Sequence, residues 1–184
     1  MGRNKKFSRE EVLQKALPLF WERGFADTGL QDLEKATGVN KSGLYAEFKN
    51  KDDLFLEALR YYGENHFASD ILSAEPLGWN NIENLFKMSS TCKNNQKGCF
   101  AINSMRETAV LPDEAQKIIN ENKKKFKLAL TKNIAAENTK MDPSSLAEII
   151  STFFSGLAIE QNLKSAKTSN MDKALGFLKM IKSM

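Results

Sequence analysis

Side chains able to do covalent or metal chemistry are scarce in this 184-residue chain, which carries one histidine, His66, and two cysteines, Cys92 and Cys99. No Ser/His/Asp set, histidine-rich metal cluster or phosphate-cradling glycine loop can be assembled, so an enzyme, a bound metal and a cofactor are not expected. What remains is chemistry of recognition, concentrated between residues 28 and 51. Asn40, Lys41, Ser42 and Gly43 stand on the exposed first turn of a short helix, where side chains reach base edges in a major groove. Lys41 can pair with guanine O6/N7 or with a phosphate, while Asn40 is suited to capping the helix. Gly43 would let the backbone approach closely, a compensation for the roughly 1 kcal/mol that glycine costs a helix. Thr28 lies where a hydroxyl can cap a helix or donate to a phosphate. Tyr45 reads either as a phenol beside the helix or as a core tyrosine.

These residues need a scaffold, and the stretch Gly29 to Phe48 supplies it. Leu30 and Leu33 make a one-sided apolar stripe, Gly38-Val39 supplies a turn, and Leu44 and Phe48 stripe a second helix at i, i+4. That is a helix-turn-helix pattern, with Gly38 suited to a left-handed backbone and Asn40 as N-cap. Upstream, Ser8 and Glu11 form a capping box, and Phe7 with Val12 a hydrophobic staple, for a helix buried through Leu13, Leu17 and Phe20 and stopped at Gly24. Pro18 costs such a helix about 3 kcal/mol unless it bends, so a kink or distorted turn is expected near Gln14. Downstream, Asn50 caps a helix with Asp52 and Asp53 in its first turn and Leu54, Phe55, Ala58, Leu59 and Tyr62 on its apolar face, running on towards residue 72. Lys51 at its first position is a cation at the positive end of a helix, or simply a solvated lysine.

Residues 8 to 60 resemble the headpiece of the TetR family of bacterial transcriptional repressors. The resemblance rests on LFWERGF, on GLQDLEKATGVNKSGLYAEF, and on LYAEFKNKDDLFLEAL with its aromatic pair, lysine and new helix. A weaker likeness, GCFAINSMRETA at 98 to 109, falls where one branch of the family has a glycine-cysteine-apolar run. Glu34 stands where the motif usually has alanine, Pro18 interrupts the first helix, and Gly43 is unusual in a recognition helix. The resemblance implies phosphate contacts by Tyr45 and Lys51, a small inducer bound in the helical domain, and a homodimer on a palindromic operator in double-stranded DNA.

The expected architecture is all-α: a three-helix DNA-binding domain at 1–50, a linking helix at 51–72, and a helical effector-binding and dimerisation domain at 73–184. Helices are expected near 79–92, 98–110, 113–137, 143–163 and 171–183. A net charge of +4 and a pI near 9.0 permit nucleic-acid binding without proving it. No run of about 18 apolar residues exists, so no membrane span is expected and a cytoplasmic location is. Arg3, Lys5 and Lys6 form a basic arm, a solvated tail or a contact to DNA. Lys123, Lys124, Lys125 and Lys127 read as the solvated face of a helix buried through Phe126 and Leu130.

Three sets in the second domain are candidates for function. Phe67, Trp79, Phe86, Phe100, Met105 and Phe126, with Asn103 or Gln161 to orient a ligand, could line a cavity for an apolar or aromatic effector, or be plain core. Leu146, Ile150, Phe153, Leu157, Leu175 and Leu178 belong to stripes on the last two helices that suit a four-helix dimer interface, with internal core as the other reading. Cys99, at a helix start, would have a lowered pKa and sense oxidants, making an alternative thiol-based regulator, or else be buried and inert.

Overall fold

The computed structural model describes residues 7–89, 97–163 and 170–183, and all regular structure among them is helical. The basic arm at 1–6 and Cys92 lie outside the described residues. The first helix, α1 (Arg9–Arg23), begins with the expected capping box: Ser8 Oγ accepts from Glu11 N at 3.0 Å, and Glu11 Oε2 accepts from Ser8 N at 2.8 Å. It is helical from Arg9 to Arg23 with Pro18 inside it. Gly24, at φ +86°, ends it.

Next come α2 (Leu30–Thr37) and α3 (Lys41–Glu47), joined by Gly38 in the left-handed region and by the buried Val39. α4 (Lys51–Asn65) starts at Asn50, whose side chain accepts from Asp53 N at 2.9 Å. It stops earlier than its apolar stripe suggests. His66 is extended, at φ −80° and ψ 136°, and its Nδ1 accepts from Ala68 N to start α5 (Phe67–Ser73). An imidazole acting as a cap thus splits the single linking helix expected over 51–72.

α6 (Trp79–Ser89) follows a turn built on a buried amide. Asn133 Oδ1 accepts from Gly78 N at 3.0 Å and Asn81 Nδ2 at 2.9 Å, and its Nδ2 donates to Leu72 O at 2.7 Å. A fully satisfied buried amide of this kind pins a loop to one geometry. α7 (Phe100–Ser104) is short and tightens into a 3₁₀ turn over Met105–Glu107, ending well before the 110 expected. α8 (Asp113–Ala135), α9 (Pro143–Glu160) and α10 (Asn170–Lys182) complete the chain. On α8, Lys123, Lys124 and Lys125 are at the surface and Lys127 pairs with Glu148 at 2.7 Å, so the charge run is a surface face.

Two apolar cores result. The first gathers Val12, Phe20, Leu33, Leu44, Phe48 and Phe55, and continues through Phe100 and Ala101 to Ala115, Ile118 and Ile119 of α8. Headpiece packing therefore includes α7 and the start of α8. The second, around Ile82, Phe86, Leu130, Ile134, Leu146, Ile150 and Leu178, holds α5, α6, α8, α9 and α10 together.

Candidate nucleic-acid interface and effector cavity

The exposed turn of α3 is held by two side chains. Asn40 Oδ1 accepts from Gly43 N at 2.9 Å, so this amide is a cap, and Glu34 from α2 accepts from Lys41 N. Together they satisfy two of the donors that a helix start leaves unpaired. The role of Glu34 had no signal beyond its departure from the alanine of the motif. Lys41, Ser42 and Tyr45 face outward, with the Lys41 ammonium 6.0 Å from the Tyr45 ring centroid. Tyr45, at 37% exposure, is not a core tyrosine.

Gly43 has a packing reason of its own, beside the backbone approach expected of it. A Cβ at this position would stand 2.6 Å from Val39 Cγ1 and 3.2 Å from Phe7 Cζ. The missing side chain makes room for the turn residue and for the aromatic ring leading into α1. Thr28 is also corrected: Gly29 is the N-cap of α2, and the wholly buried Thr28 donates its hydroxyl to Gly24 O at 2.6 Å.

Lys51 is partly buried and tied to the preceding turn rather than freely solvated. Its Nζ donates to Phe25 O at 2.9 Å and Thr28 O at 3.2 Å and sits 4.2 Å above the Phe25 ring centroid. The carbonyls ending the α1–α2 turn draw the cation back from the N-terminus of its own helix, which removes the repulsion with the macrodipole. The same turn is gripped from the far side by Glu107, whose carboxylate accepts from Phe25 N at 2.8 Å and Ala26 N at 3.0 Å. Arg9, also unremarked in the sequence, lies 4.2 Å over the Phe48 ring and pairs with Glu57 at 2.9 Å, locking α1 to the end of α3 and to α4.

A cavity of about 320 Å³ opens where α1 and α4 meet α6 and α9. Leu17, Trp21, Tyr61, Tyr62, Asn65 and His66 form the headpiece side; Met88, Ser89, Gly98, Cys99, Phe154, Leu157, Ala158 and Gln161 form the other. Of the effector candidates whose side chains are described, only Gln161 lines it, bridging Gly98 N at 2.9 Å and Ser89 O at 2.7 Å. Phe86 belongs to the second core, and Phe100 lies a layer behind the wall, against Trp21 and Tyr62. Phe126 packs on Phe154, Trp79 carries the Lys182 ammonium over its ring, and Met105 is exposed. Asn103 is engaged with Lys97 O and Asn162 Nδ2, and the side chain of Phe67 lies outside the described residues. The lining missed in the sequence has one faint signal: Leu17 and Trp21, at i, i+4, widen the stripe of the first helix beyond what a three-helix headpiece covers.

Cys99 lines the cavity and accepts from the Tyr62 hydroxyl at 3.2 Å. Burial pushes its thiol above the ordinary range, which favours the buried, inert reading over the lowered value of a helix start; desolvation outweighs the N–H groups of so short a helix. Burial likewise holds His66 down at about 4.

The proposed dimer stripes divide. Leu146, Ile150, Leu157 and Leu178 are buried within the chain, and Phe153 stacks on Phe177 at 3.8 Å. The apolar surface left open is a neighbouring stripe: Ile149, Ile159 and Leu163 along and just beyond α9, and Leu175 and Met180 on α10, with Gly156 and Gly176 exposed among them.

A family model described as "Bacterial regulatory proteins, tetR family" matches residues 12–58, the span from α1 through most of α4. Over 118 residues the chain is 36% identical to the HTH-type transcriptional repressor ComR of Escherichia coli (strain K12), covering 61% of this chain and 55% of ComR. The segment from α1 through most of α4 is similar to the DNA-binding headpiece of the TetR family. The chain spans little more than half the length of the curated relatives it matches first, ComR at 55% and a Bacillus subtilis regulator, YezE, at 58%. The likeness of fold to solved structures extends well beyond this segment. The reduced form of NemR from E. coli superposes with a TM-score of 0.82 at 17% identity, covering 94% of this chain and 95% of NemR. A cysteine mutant of CifR, a TetR family transcriptional regulator complexed with 26bp double-strand operator DNA, superposes with a TM-score of 0.76 at 22% identity, covering 99% of this chain and 98% of CifR. No helix among the described residues is long and apolar enough to cross a membrane.

Proposed function

We propose that this chain is a transcriptional regulator, acting as a repressor, that binds double-stranded operator DNA as a homodimer and leaves it when a small effector binds. The observation that carries the reading is the start of α3, where capping by Asn40 and Glu34 leaves Lys41, Ser42 and Tyr45 facing outward. In this reading Lys41 and Ser42 reach base edges or phosphates and Tyr45 donates to a phosphate. Asn40 and Gly43 shape the helix that carries them, while Thr28 and Lys51 hold the preceding turn. The complex of the structurally similar CifR with operator DNA supports a duplex as the partner.

A second copy is supported by the exposed apolar stripe on α9 and α10. Two headpieces then have to reach successive major grooves, about 34 to 36 Å apart on one DNA face. An effector must bind better to an arrangement that misses that spacing, since without differential affinity no equilibrium moves. The cavity between headpiece helices and α9 supports such coupling, because one ligand would touch both. The thiol-sensing alternative has less support, since burial raises the pKa of Cys99. Selecting bound sequences from random duplex DNA tests the function. The expected result is a palindromic site whose affinity falls steeply with salt; no enrichment, or enrichment of single strands, would overturn it.

A further inference from the structure

Resting on the effector reading above, we infer that the cavity between α1, α4 and α9 selects an uncharged, planar aromatic ligand of one or two rings, held directly against the headpiece residue Trp21. Size sets the first preference, because about 320 Å³ is at the low end for small-molecule sites and suits a ligand of one or two rings. Charge sets the second. None of the described residues lining the cavity is Asp, Glu, Lys or Arg. The lining groups His66, partly buried, and Tyr62, buried, are both held towards neutrality by desolvation. An ionised ligand would therefore find no counter-charge among the described lining residues, a heavily penalised arrangement.

Shape follows from the rings. Trp21 and Tyr62 meet edge to face at 5.1 Å, and Tyr62 lies 4.5 Å from His66, so these side chains already form an aromatic cluster; Tyr61 and Phe154 add two more rings to the lining. Such walls favour a flat ring in offset or edge contact. Polar handles are few and neutral. Tyr61 Oη accepts from Gln14 Nε2 at 3.1 Å and keeps its own proton for a ligand acceptor. Gln161, with one N–H and one lone pair engaged, keeps one of each. A hydroxyl, carbonyl or ether on the ring matches this set.

The contact with α1 makes the ligand more than a filler. Trp21 Nε1 donates to Lys97 O at 2.9 Å, next to Gly98 and Cys99 on the opposite wall. A ring inserted beside Trp21 presses between the helix that carries the headpiece and the segment that begins α7.

The test uses Trp21 as reporter, because the chain has two tryptophans and only one lines the cavity. In Trp79→Phe protein, 4-nitrobenzyl alcohol should quench the remaining fluorescence saturably, while 4-nitrobenzoate and 4-nitrobenzylammonium should need at least about tenfold higher concentration, a 1.4 kcal/mol difference. In Trp21→Phe protein, the Trp79 signal should show no saturable quenching. Equal binding of the three probes would overturn neutrality, and saturable quenching only in Trp21→Phe protein would overturn the location. No saturable quenching of Trp21 by any probe, with thermal unfolding also unshifted, would overturn the site. Duplex binding is measured on the same wild-type protein: retained DNA binding with unquenched Trp21 defeats this inference alone, and quenching without DNA binding defeats the regulator reading alone.

Discussion

Gly43 shows how one missing methyl group is decided by neighbours outside its helix. Adding a Cβ would gain up to about 1 kcal/mol of helix propensity. It would also press on Val39 and Phe7, and overpacking of this kind costs about 1 to 3 kcal/mol. Overpacking outweighs propensity, so Gly43→Ala is expected to lower stability in urea by up to about 2 kcal/mol. A variant more stable than wild type but weaker on DNA would mean that the glycine serves approach to the duplex instead. Lys51 has a matching logic. Two carbonyl bonds and a ring contact predict that Lys51→Ala destabilises the headpiece by about 1 to 3 kcal/mol. Its effect on the salt slope should be near zero, whereas Lys41→Ala should lower that slope by about 1 per half-site if Lys41 meets a phosphate, or shift the selected bases if it meets guanine. Wild-type unfolding with a shallower slope in Lys51→Ala would return Lys51 to the phosphates.

Among the elements, the short α7 with its 3₁₀ turn is the joint between headpiece and second core. Glu107 at its end holds the Phe25 and Ala26 amides from a sequence distance of about eighty residues. Glu107→Ala should speed hydrogen exchange at those two amides and cost about 1 to 3 kcal/mol, since two donors lose their acceptor. Unchanged exchange would mean that the turn holds itself. The α4–α5 joint carries a pH dependence. His66 titrates near 4 in the folded chain against an ordinary 6.5, so between those values the unfolded chain binds the extra proton. The contribution is complete above pH 6.5 and is lost as pH falls to about 4, with a magnitude of about 3 kcal/mol. Denaturation at pH 7 and pH 4 should differ by this amount more in wild type than in His66→Gln. An equal pH response in the two proteins would place the imidazole in water.

At the scale of the molecule, assembly narrows to one face. Buried residues such as Leu146, Ile150 and Leu157 hold α9 to its own chain, so charging them would unfold the protein and report nothing about partners. Ile159, half exposed on the same helix as the exposed Gly156, is the better probe. Ile159→Glu is expected to sediment as a folded monomer where wild type sediments as a dimer at micromolar concentration. It should also lose most affinity for a palindrome while keeping weak half-site binding. A wild-type monomer, or an Ile159→Glu dimer, would move the interface elsewhere.

Local chemistry was legible in the residues themselves. Ser8 with Glu11, Asn40 and Asn50 are caps whose partners sit within four positions, and the stripe Leu33, Leu44, Phe48 follows helical period, so the all-α fold and the helix-turn-helix could be read directly. The family headpiece was legible for the same reason. Contacts across long sequence distance were not. The residues expected around an effector share composition with the lining of the cavity, yet Trp79, Phe86, Phe100, Asn103, Met105 and Phe126 all lie away from it, because helical spacing marks a buried face without saying which neighbour covers it. The same ambiguity misplaced the open stripe of α9 by a fraction of a turn. Thr28, Lys51 and Cys99 read differently by position alone: Thr28 turns to a local partner, Gly24 O four residues back, while distant partners decide the other two, the Phe25 and Thr28 carbonyls for Lys51 and the Tyr62 hydroxyl within an apolar wall for Cys99. Sequence periodicity determines which residues turn inward; only the packed chain decides what they meet, because burial and charge depend on neighbours brought from far along the backbone.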